Sequence, residues 1–409
     1  MHEPSNPELL TPLAIQSDTR ILFVVMDGLG GVLGADPTAL QLANCPNLDA
    51  LAAESALGRT IMVADGITPG SGPGHFSLFG YDPLAYDVGR GLLEALGLGV
   101  RVESGDVAIR GNYCNIDDDG LCTDRRAGRL ETEFAAPLAD VLNEAIGTIE
   151  DVTVEVHAGL QYRFAAVFRG AGLDGRVADT DPQIEGRAPL AARALVPEAE
   201  KMARLCDAFV EKARAALGDR DVANGVLLRG ISGRPSIPTY PEIAKLNPVC
   251  IAAYPAYRGV AELLGMEIRR EIESTASVAD QVDVLEDAWT KDHDFFFLHV
   301  KKTDSYGEDG NLKAKAGVIE EFDAELPRIR ALKPDVIVIT GDHASPAAMA
   351  MHSWHPVPTL LWGPWAEPDA HQAFDEETCN AGRLGMRLPA TALLRLALAN
   401  AGKLAKFGA

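Results

Sequence analysis

The sequence is poor in aromatic and basic residues and has no long apolar run. Phe, Trp and Tyr make up 6% of its 409 positions, and 37 Lys and Arg face 59 Asp and Glu, a formal charge of −22. A surface that acidic repels phosphate backbones and anionic lipid, so neither nucleic acid nor a membrane surface is an expected partner. A small anionic substrate is compatible with it, because a few local arginines or a metal ion attract one. No stretch approaches the ~18 apolar residues of a spanning helix. Met1 to Gln16 lacks the basic region and apolar core of a secretory signal. The six cysteines, at 45, 114, 122, 206, 250 and 379, include no CxxC pair, which fits buried thiols in a reducing compartment better than a disulfide frame or zinc knuckle. A soluble, cytoplasmic protein is expected, for which a homo-oligomer is compatible.

What is present is a pattern of apolar runs ending in acids. Arg20 to Met26 is almost wholly apolar and stops at Asp27-Gly28. Phe295 to Val300 ends in Lys301-Lys302-Thr303-Asp304, Val336 to Thr340 ends in Gly341-Asp342-His343, and Thr359 to Trp362 is a fourth such run. Runs apolar on both faces suit central strands of a parallel sheet. Ligands sit outside the carboxyl ends of such strands, so the three acids converge on one site, although an Asp after a strand also starts turns and caps helices. Helices are expected over Asn47–Leu57, Leu312–Leu332 and Ala390–Leu404.

The middle of the chain reads differently. Short alternating stretches at 107–110, 153–157 and 162–168, a tight turn at Asp117–Gly120, then helices such as Pro197–Leu217 and a further strand at 225–230 indicate an α+β module. The expected organisation is an α/β core with a mostly parallel central sheet, residues 1–82 and 243–409, carrying an insert at 83–242.

Two sets of residues carry chemistry. Thr68-Pro69-Gly70-Ser71-Gly72-Pro73-Gly74-His75 exposes one hydroxyl, Ser71, at the start of an expected helix, where free N–H groups favour a phosphate; a Gly/Pro loop with Ser71 as a helix cap is the plainer alternative. Asp27, Asp304, Glu308, Asp342, His343, His352 and His355 form a mixed carboxylate and imidazole set. Such a set suits zinc or manganese, and manganese gains as oxygen donors accumulate.

The motifs Met26-Asp27-Gly28-Leu29-Gly30, Thr68-Pro69-Gly70-Ser71, Phe79-Gly80-Tyr81-Asp82-Pro83, Gly89-Arg90-Gly91, Asp124-Arg125-Arg126-Ala127-Gly128-Arg129, Gly341-Asp342-His343 and His352-Ser353 occur in this order. The chain, over roughly residues 20 to 400, thereby resembles the archaeal-type, cofactor-independent phosphoglycerate mutases of the alkaline phosphatase superfamily. The resemblance implies an alkaline-phosphatase-like core with an inserted substrate domain. It implies two divalent cations (manganese favoured; zinc, cobalt or magnesium as alternatives) and no 2,3-bisphosphoglycerate. One cation would be held by Asp27, Ser71, Asp342 and His343, the other by Asp304, position 308 and His352. Ser71 would take the phosphoryl group from a small phosphorylated substrate and return it to the other hydroxyl of glycerate.

Two positions depart from that pattern. The family's Glu-Ala-Gly-His after Asp304 is here Ser305-Tyr306-Gly307-Glu308, and a commonly acidic position is His355. Glu308 is expected to ligate still, with His355 in or beside the site. Arg126, Arg129, Arg163, Arg229 and Arg258 are the expected carboxylate and phosphate binders, since a guanidinium pairs with both groups bidentately. The residues do not choose among Asp124, Asp179 and Asp181 as the base for glycerate; Asp124 and Arg126 are carried forward with Ser71 as the catalytic set. A related phosphotransferase of homoserine-kinase type, or a phosphomonoester hydrolase, is the alternative on the same core.

Overall fold

The computed structural model describes residues 6–34, 36–86, 88–369 and 373–408. The first five residues of the Met1–Gln16 segment lie outside the described residues. The chain divides into two compact units, Met1–Asp87 with Ile237–Ala409, and Val88–Ser236.

Among the described residues, the first unit is built on an eight-stranded sheet. Its order is Glu267–Ile268, Pro248–Ala252, Phe295–Val300, Ile21–Met26, Val336–Thr340, Val357–Trp362, Ala56–Ile61, Gly385–Pro389. Five of the seven neighbouring pairs are parallel, and Val357–Trp362 runs antiparallel to both its neighbours. This is the α/β fold with a mostly parallel central sheet that the apolar runs led one to expect. Ile21–Met26, Phe295–Val300 and Val336–Thr340 are buried at every residue, which requires cover on both faces and explains why no polar alternation shows in them. Their aromatics interlock: Phe23 lies 5.2 Å from Phe295, Phe79 meets Phe297 edge-on at 4.8 Å, and Trp289 stacks on Phe296 at 4.0 Å. Because these three adjacent strands are parallel, Asp27, Lys301 and Asp342 leave the sheet at the same end.

Two expectations about helices need correction. The helix expected over Asn47–Leu57 spans only Pro46–Ala52. Ser55 ends it, its hydroxyl donating to the Leu51 carbonyl at 2.6 Å, and Ala56–Ile61 is a strand instead. Gly58 lets that strand lie against its neighbour, since a Cβ there would come within 2.6 Å of the Gly385 carbonyl oxygen. The last helix spans Ala392–Asn400, short of both expected ends.

The second unit holds an antiparallel sheet in the order Gly225–Gly233, Val107–Ile116, Arg163–Arg169, Val152–Ala158, Thr148–Ile149, with Cys122–Asp124 pairing to Val107–Ile116. Helix Thr132–Ala145 lies between strands in sequence, where no helix was expected; Pro137 and the exposed Phe134 interrupt its apolar period. One sheet face supplies Val107, Ile109, Phe164 and Phe168 to a core completed by Leu138 and Leu142 of that helix and Phe209 of helix Glu200–Leu217. Residues of opposite parity point the other way, which puts Arg110 beside Arg229 and Asn112 beside Arg163 on neighbouring strands.

Truncating a fully buried sheet aromatic removes packing that the neighbours do not refill. Phe297→Ala is expected to cost about 3–5 kcal/mol, whereas exposed Phe407→Ala stays within about 0.5 kcal/mol. Denaturant titration of both variants checks the contrast, and equal costs would contradict this placement of the core.

Candidate active site

The three strand ends are tied together through their main chain. Gly28 takes φ +62°, a left-handed turn that suits glycine, and a Cβ there would come within 2.7 Å of Ser345 Oγ and 2.9 Å of Asp304 Oδ1. The Gly28 N–H donates to Asp342 Oδ1 at 3.0 Å, and the Thr303 hydroxyl donates to the Asp27 carbonyl at 2.6 Å. Ser71 begins helix Ser71–Leu78. That helix lies directly on the Asp342 backbone, because a Cβ at Gly74 would run into the Asp342 carbonyl oxygen. Ser71 Oγ thereby comes to 3.4 Å from His343 Nε2.

Two groups of side chains place their donor atoms within 4.8 Å of one another: Asp27 with Asp342 and His343, and Asp304 with His343 and His352. His343 belongs to both, and its ring stacks on His352 at 3.7 Å. His343 Nε2 lies 3.2 Å from Asp27 Oδ1, 3.4 Å from Asp342 Oδ2 and 4.0 Å from Asp304 Oδ1. His352 Nε2 lies 3.4 Å from Asp304 Oδ1 and 3.5 Å from Glu308 Oε1. The opposite ring nitrogens are engaged elsewhere, His343 Nδ1 with Ser345 Oγ at 3.2 Å and His352 Nδ1 with the Pro69 carbonyl at 3.2 Å. Both rings thus direct Nε2 at the carboxylates, the orientation that outer hydrogen bonds give a metal-binding imidazole.

The donor set fits divalent cations. Asp27 Oδ1 and Asp342 Oδ2 are buried with no hydrogen-bond partner among the described residues, an arrangement costly for carboxylates unless a cation satisfies them. Part of the charge is met by Lys301, whose ammonium lies 2.9 Å from Asp27 Oδ2 and 2.5 Å from Asp304 Oδ2. Burial disfavours ionised Asp27, but Lys301, His299 and His343 outweigh it and hold the carboxyl well below its ordinary range. Burial also opposes charge on Asp304, yet His352 and Lys301 pull it down, and the same Asp304 contact raises His352 to about 9 against its own burial. Lys301 is pushed up by Asp27 and Asp304 despite burial. Behind Asp27, the Tyr257 hydroxyl donates to Oδ2, the Tyr257 ring stacks on His299 at 3.7 Å, and His75 Nδ1 lies 3.3 Å from Asp342 Oδ2.

Of the expected ligands, Glu308 stands at the edge, with a side chain 53% exposed. His355 turns to Ser353 Oγ at 3.0 Å and stacks on Trp354 at 5.0 Å, apart from both ligand groups. Arg258 donates to the Ala252 and Ile272 carbonyls. In the second unit, Asp124 accepts the Arg126 N–H at 2.7 Å and the Gly128 N–H at 2.6 Å, and Ala127, Gly128 and Arg129 all take positive φ. Arg126 and Arg129 are exposed, without an ion-pair partner among the described residues. Arg229 lies 3.5 Å from Asp181, which Arg125 grips bidentately at 2.8 and 2.7 Å. Arg163 donates to the Tyr162 hydroxyl at 3.0 Å, leaving buried Nε and Nη1 without partners among the described residues.

Several residues escaped the sequence reading. Lys301 and His299 carried a signal, a charge and an imidazole at the end of an otherwise apolar strand; Tyr257 carried none. Arg110 is the other omission. No acceptor pairs with its guanidinium among the described residues, its Nε is buried, and burial, with Arg163 and Arg90 nearby, pushes it below the usual arginine range.

Gly74→Ala is expected to lift the Ser71 helix from Asp342 and lower turnover by about 10²-fold, the usual consequence of an ångström-scale misplacement, with far-UV circular dichroism unchanged. Full turnover in Gly74→Ala would show that this contact does not set the position of Ser71.

The family profile described as 2,3-bisphosphoglycerate-independent phosphoglycerate mutase matches residues 52–223. A probable mutase of that description from Thermotoga neapolitana is 49% identical over 402 residues, covering 98% of this chain and 99% of its own. Its Thermus thermophilus counterpart is 47% identical over 403 residues, with 98% and 99% covered. Among solved structures, the cofactor-independent phosphoglycerate mutase from Thermoplasma acidophilum superposes with a TM-score of 0.68 at 30% identity, over 94% of this chain and 100% of that one. A Pyrococcus horikoshii protein superposes with a TM-score of 0.79 at 27% identity, over 96% and 99%. With nearly half of its residues shared end to end with such relatives, the chain belongs to the 2,3-bisphosphoglycerate-independent phosphoglycerate mutases, a family of isomerases.

Proposed function

We propose that this chain interconverts 3-phosphoglycerate and 2-phosphoglycerate in the cytoplasm, without 2,3-bisphosphoglycerate, by passing the phosphoryl group through Ser71. The observation that carries this reading is the Ser71 hydroxyl, 3.4 Å from the His343 Nε2 that both carboxylate–imidazole groups share. Asp27, Asp342 and His343, with Ser71, would hold one divalent cation, and Asp304, His352 and Glu308 the other. The oxygen-rich donors favour manganese over zinc. Bound there, the cations neutralise phosphoryl charge and lower the pKa of a coordinated hydroxyl.

Ser71 Oγ attacks phosphorus and gives up its proton, while the glycerate 3-oxygen leaves and gains one. In the second transfer the glycerate 2-hydroxyl loses its proton as it takes the phosphoryl group, and Ser71 is protonated again. Lys301, held between Asp27 and Asp304, favours the ionised form of both carboxylates. Arg126, Arg129, Arg163 and Arg229, joined by Arg110, bind the carboxylate and phosphate oxygens of the substrate. Asp124 positions the Arg126–Arg129 loop through its two backbone hydrogen bonds. Arg258, which donates to main-chain carbonyls, is assigned no substrate contact.

The test is metal-stripped full-length protein given manganese and 3-phosphoglycerate, with free phosphate followed in parallel. 2-Phosphoglycerate is expected without phosphate release, and Ser71→Ala is expected to lose about 10³-fold or more of the rate. Phosphate release without isomerisation would replace this reading with a hydrolase. Arg110→Met is expected to raise KM for 3-phosphoglycerate by about 10- to 100-fold, the scale of one lost charge-assisted hydrogen-bond pair; an unchanged KM would remove Arg110 from the substrate set.

A further inference from the structure

The glycine turn after Asp27 is gripped from behind by two buried charged side chains that belong to neither ligand group. Lys315, on helix Leu312–Ala331, is 1% exposed. Its ammonium donates to the Gly28 carbonyl at 2.7 Å and the Ser345 carbonyl at 2.7 Å, and reaches the Gly30 carbonyl at 3.4 Å. Glu376, fully buried, accepts the Gly31 N–H at 2.7 Å on Oε1 and the Thr38 hydroxyl at 2.5 Å on Oε2. One short turn is therefore held through its carbonyls by a cation and through its amide by an anion.

These contacts extend to the other ligand-bearing segments. Gly28 donates to Asp342 Oδ1 at 3.0 Å, and the Ser345 N–H donates to the Gly28 carbonyl at 3.1 Å. The Ser345 hydroxyl donates to Asp304 Oδ1 at 2.6 Å and meets His343 Nδ1 at 3.2 Å. Ser353, next to His352, donates its N–H to the Ala344 carbonyl at 2.8 Å. A lysine and a glutamate are costly side chains to bury when all that is required is volume. What they supply, and an apolar pair would not, is fixed hydrogen bonds to the segments from which the ligands project.

We propose that Lys315 and Glu376 are positioning residues for the two-cation site, fixing the 27–31 turn and the 343–345 segment so that carboxylates and imidazoles stand at ligand spacing before a cation arrives. The inference rests on the two-cation reading above.

Full-length Lys315→Met and Glu376→Gln, stripped of metal, would be titrated with Mn2+ by calorimetry and examined by visible absorption after Co2+ loading. Both are expected to bind Mn2+ about tenfold or more weakly, the scale of outer-contact losses at metal sites, and to show shifted Co2+ bands. At saturating Mn2+ kcat is expected to fall while KM for 3-phosphoglycerate holds. A role confined to stability would lower the melting temperature and leave Mn2+ affinity and the Co2+ spectrum as in wild type; that result overturns the proposal. Should Lys315→Met not fold, Glu376→Gln decides, since the amide oxygen still accepts from Gly31 while the charge and the acceptor for the Thr38 hydroxyl are lost. Wild-type protein that binds no Mn2+ would overturn the two-cation reading and this inference together, whereas intact wild-type binding with unchanged variants would overturn the inference alone.

Discussion

Asp27, Asp304 and Asp342 place three carboxylates almost out of reach of water and within contact distance of one imidazole. Mutual repulsion and lost hydration both oppose that arrangement, and Lys301 supplies a single fixed positive charge among the ligands. The remaining negative charge favours cations, and the two carboxylate oxygens buried without a hydrogen-bond partner among the described residues belong to the two aspartates grouped with His343. Repulsion among the acids is thus what suits this cluster to cations, as the proposed reaction requires.

The fold supplies the means to hold acids so close. Three parallel strands, side by side in the sheet, deliver Asp27, Asp304 and Asp342 at one edge. Glycine then permits approaches that a side chain would forbid: Gly28 against Ser345 and Asp304, and Gly74 against the Asp342 carbonyl. Around the acids lies a layer of satisfied polar contacts from Thr303, Ser345, Lys315 and Glu376 to the 27–31 turn and the segments beside it. Apolar strands carry the load of stability, and the polar layer sets geometry.

Much of this was legible in the residues. Nearly unbroken apolar runs announce a doubly covered parallel sheet, and an acid after three of them marks the edge where ligands collect. Phe295–Val300 and Val336–Thr340 were bounded correctly because an abrupt change from apolar to charged or Gly-Asp residues ends them. Ala56–Ile61 was not legible, since Ala-Leu-Gly-Arg-Thr-Ile has neither clean alternation nor a run of β-branched residues, and its place depends on pairing with Val357–Trp362. Lys315 was hidden for a related reason: on a helix of mixed composition a lysine reads as solvated, and only the tertiary fold turns it onto the Gly28 and Ser345 carbonyls. Arg110 in an alternating strand carries no sequence signal of its own, and only the structure shows its guanidinium without an acceptor among the described residues.

The sharing of His343 between the two ligand groups is the feature on which the site turns, and metal stoichiometry tests it most directly. Elemental analysis of manganese-loaded, gel-filtered protein is expected to find two ions per wild-type chain, one in His352→Ala and fewer than one in His343→Ala. Two ions retained in His343→Ala, or none in wild type, would contradict a two-cation centre built around that ring.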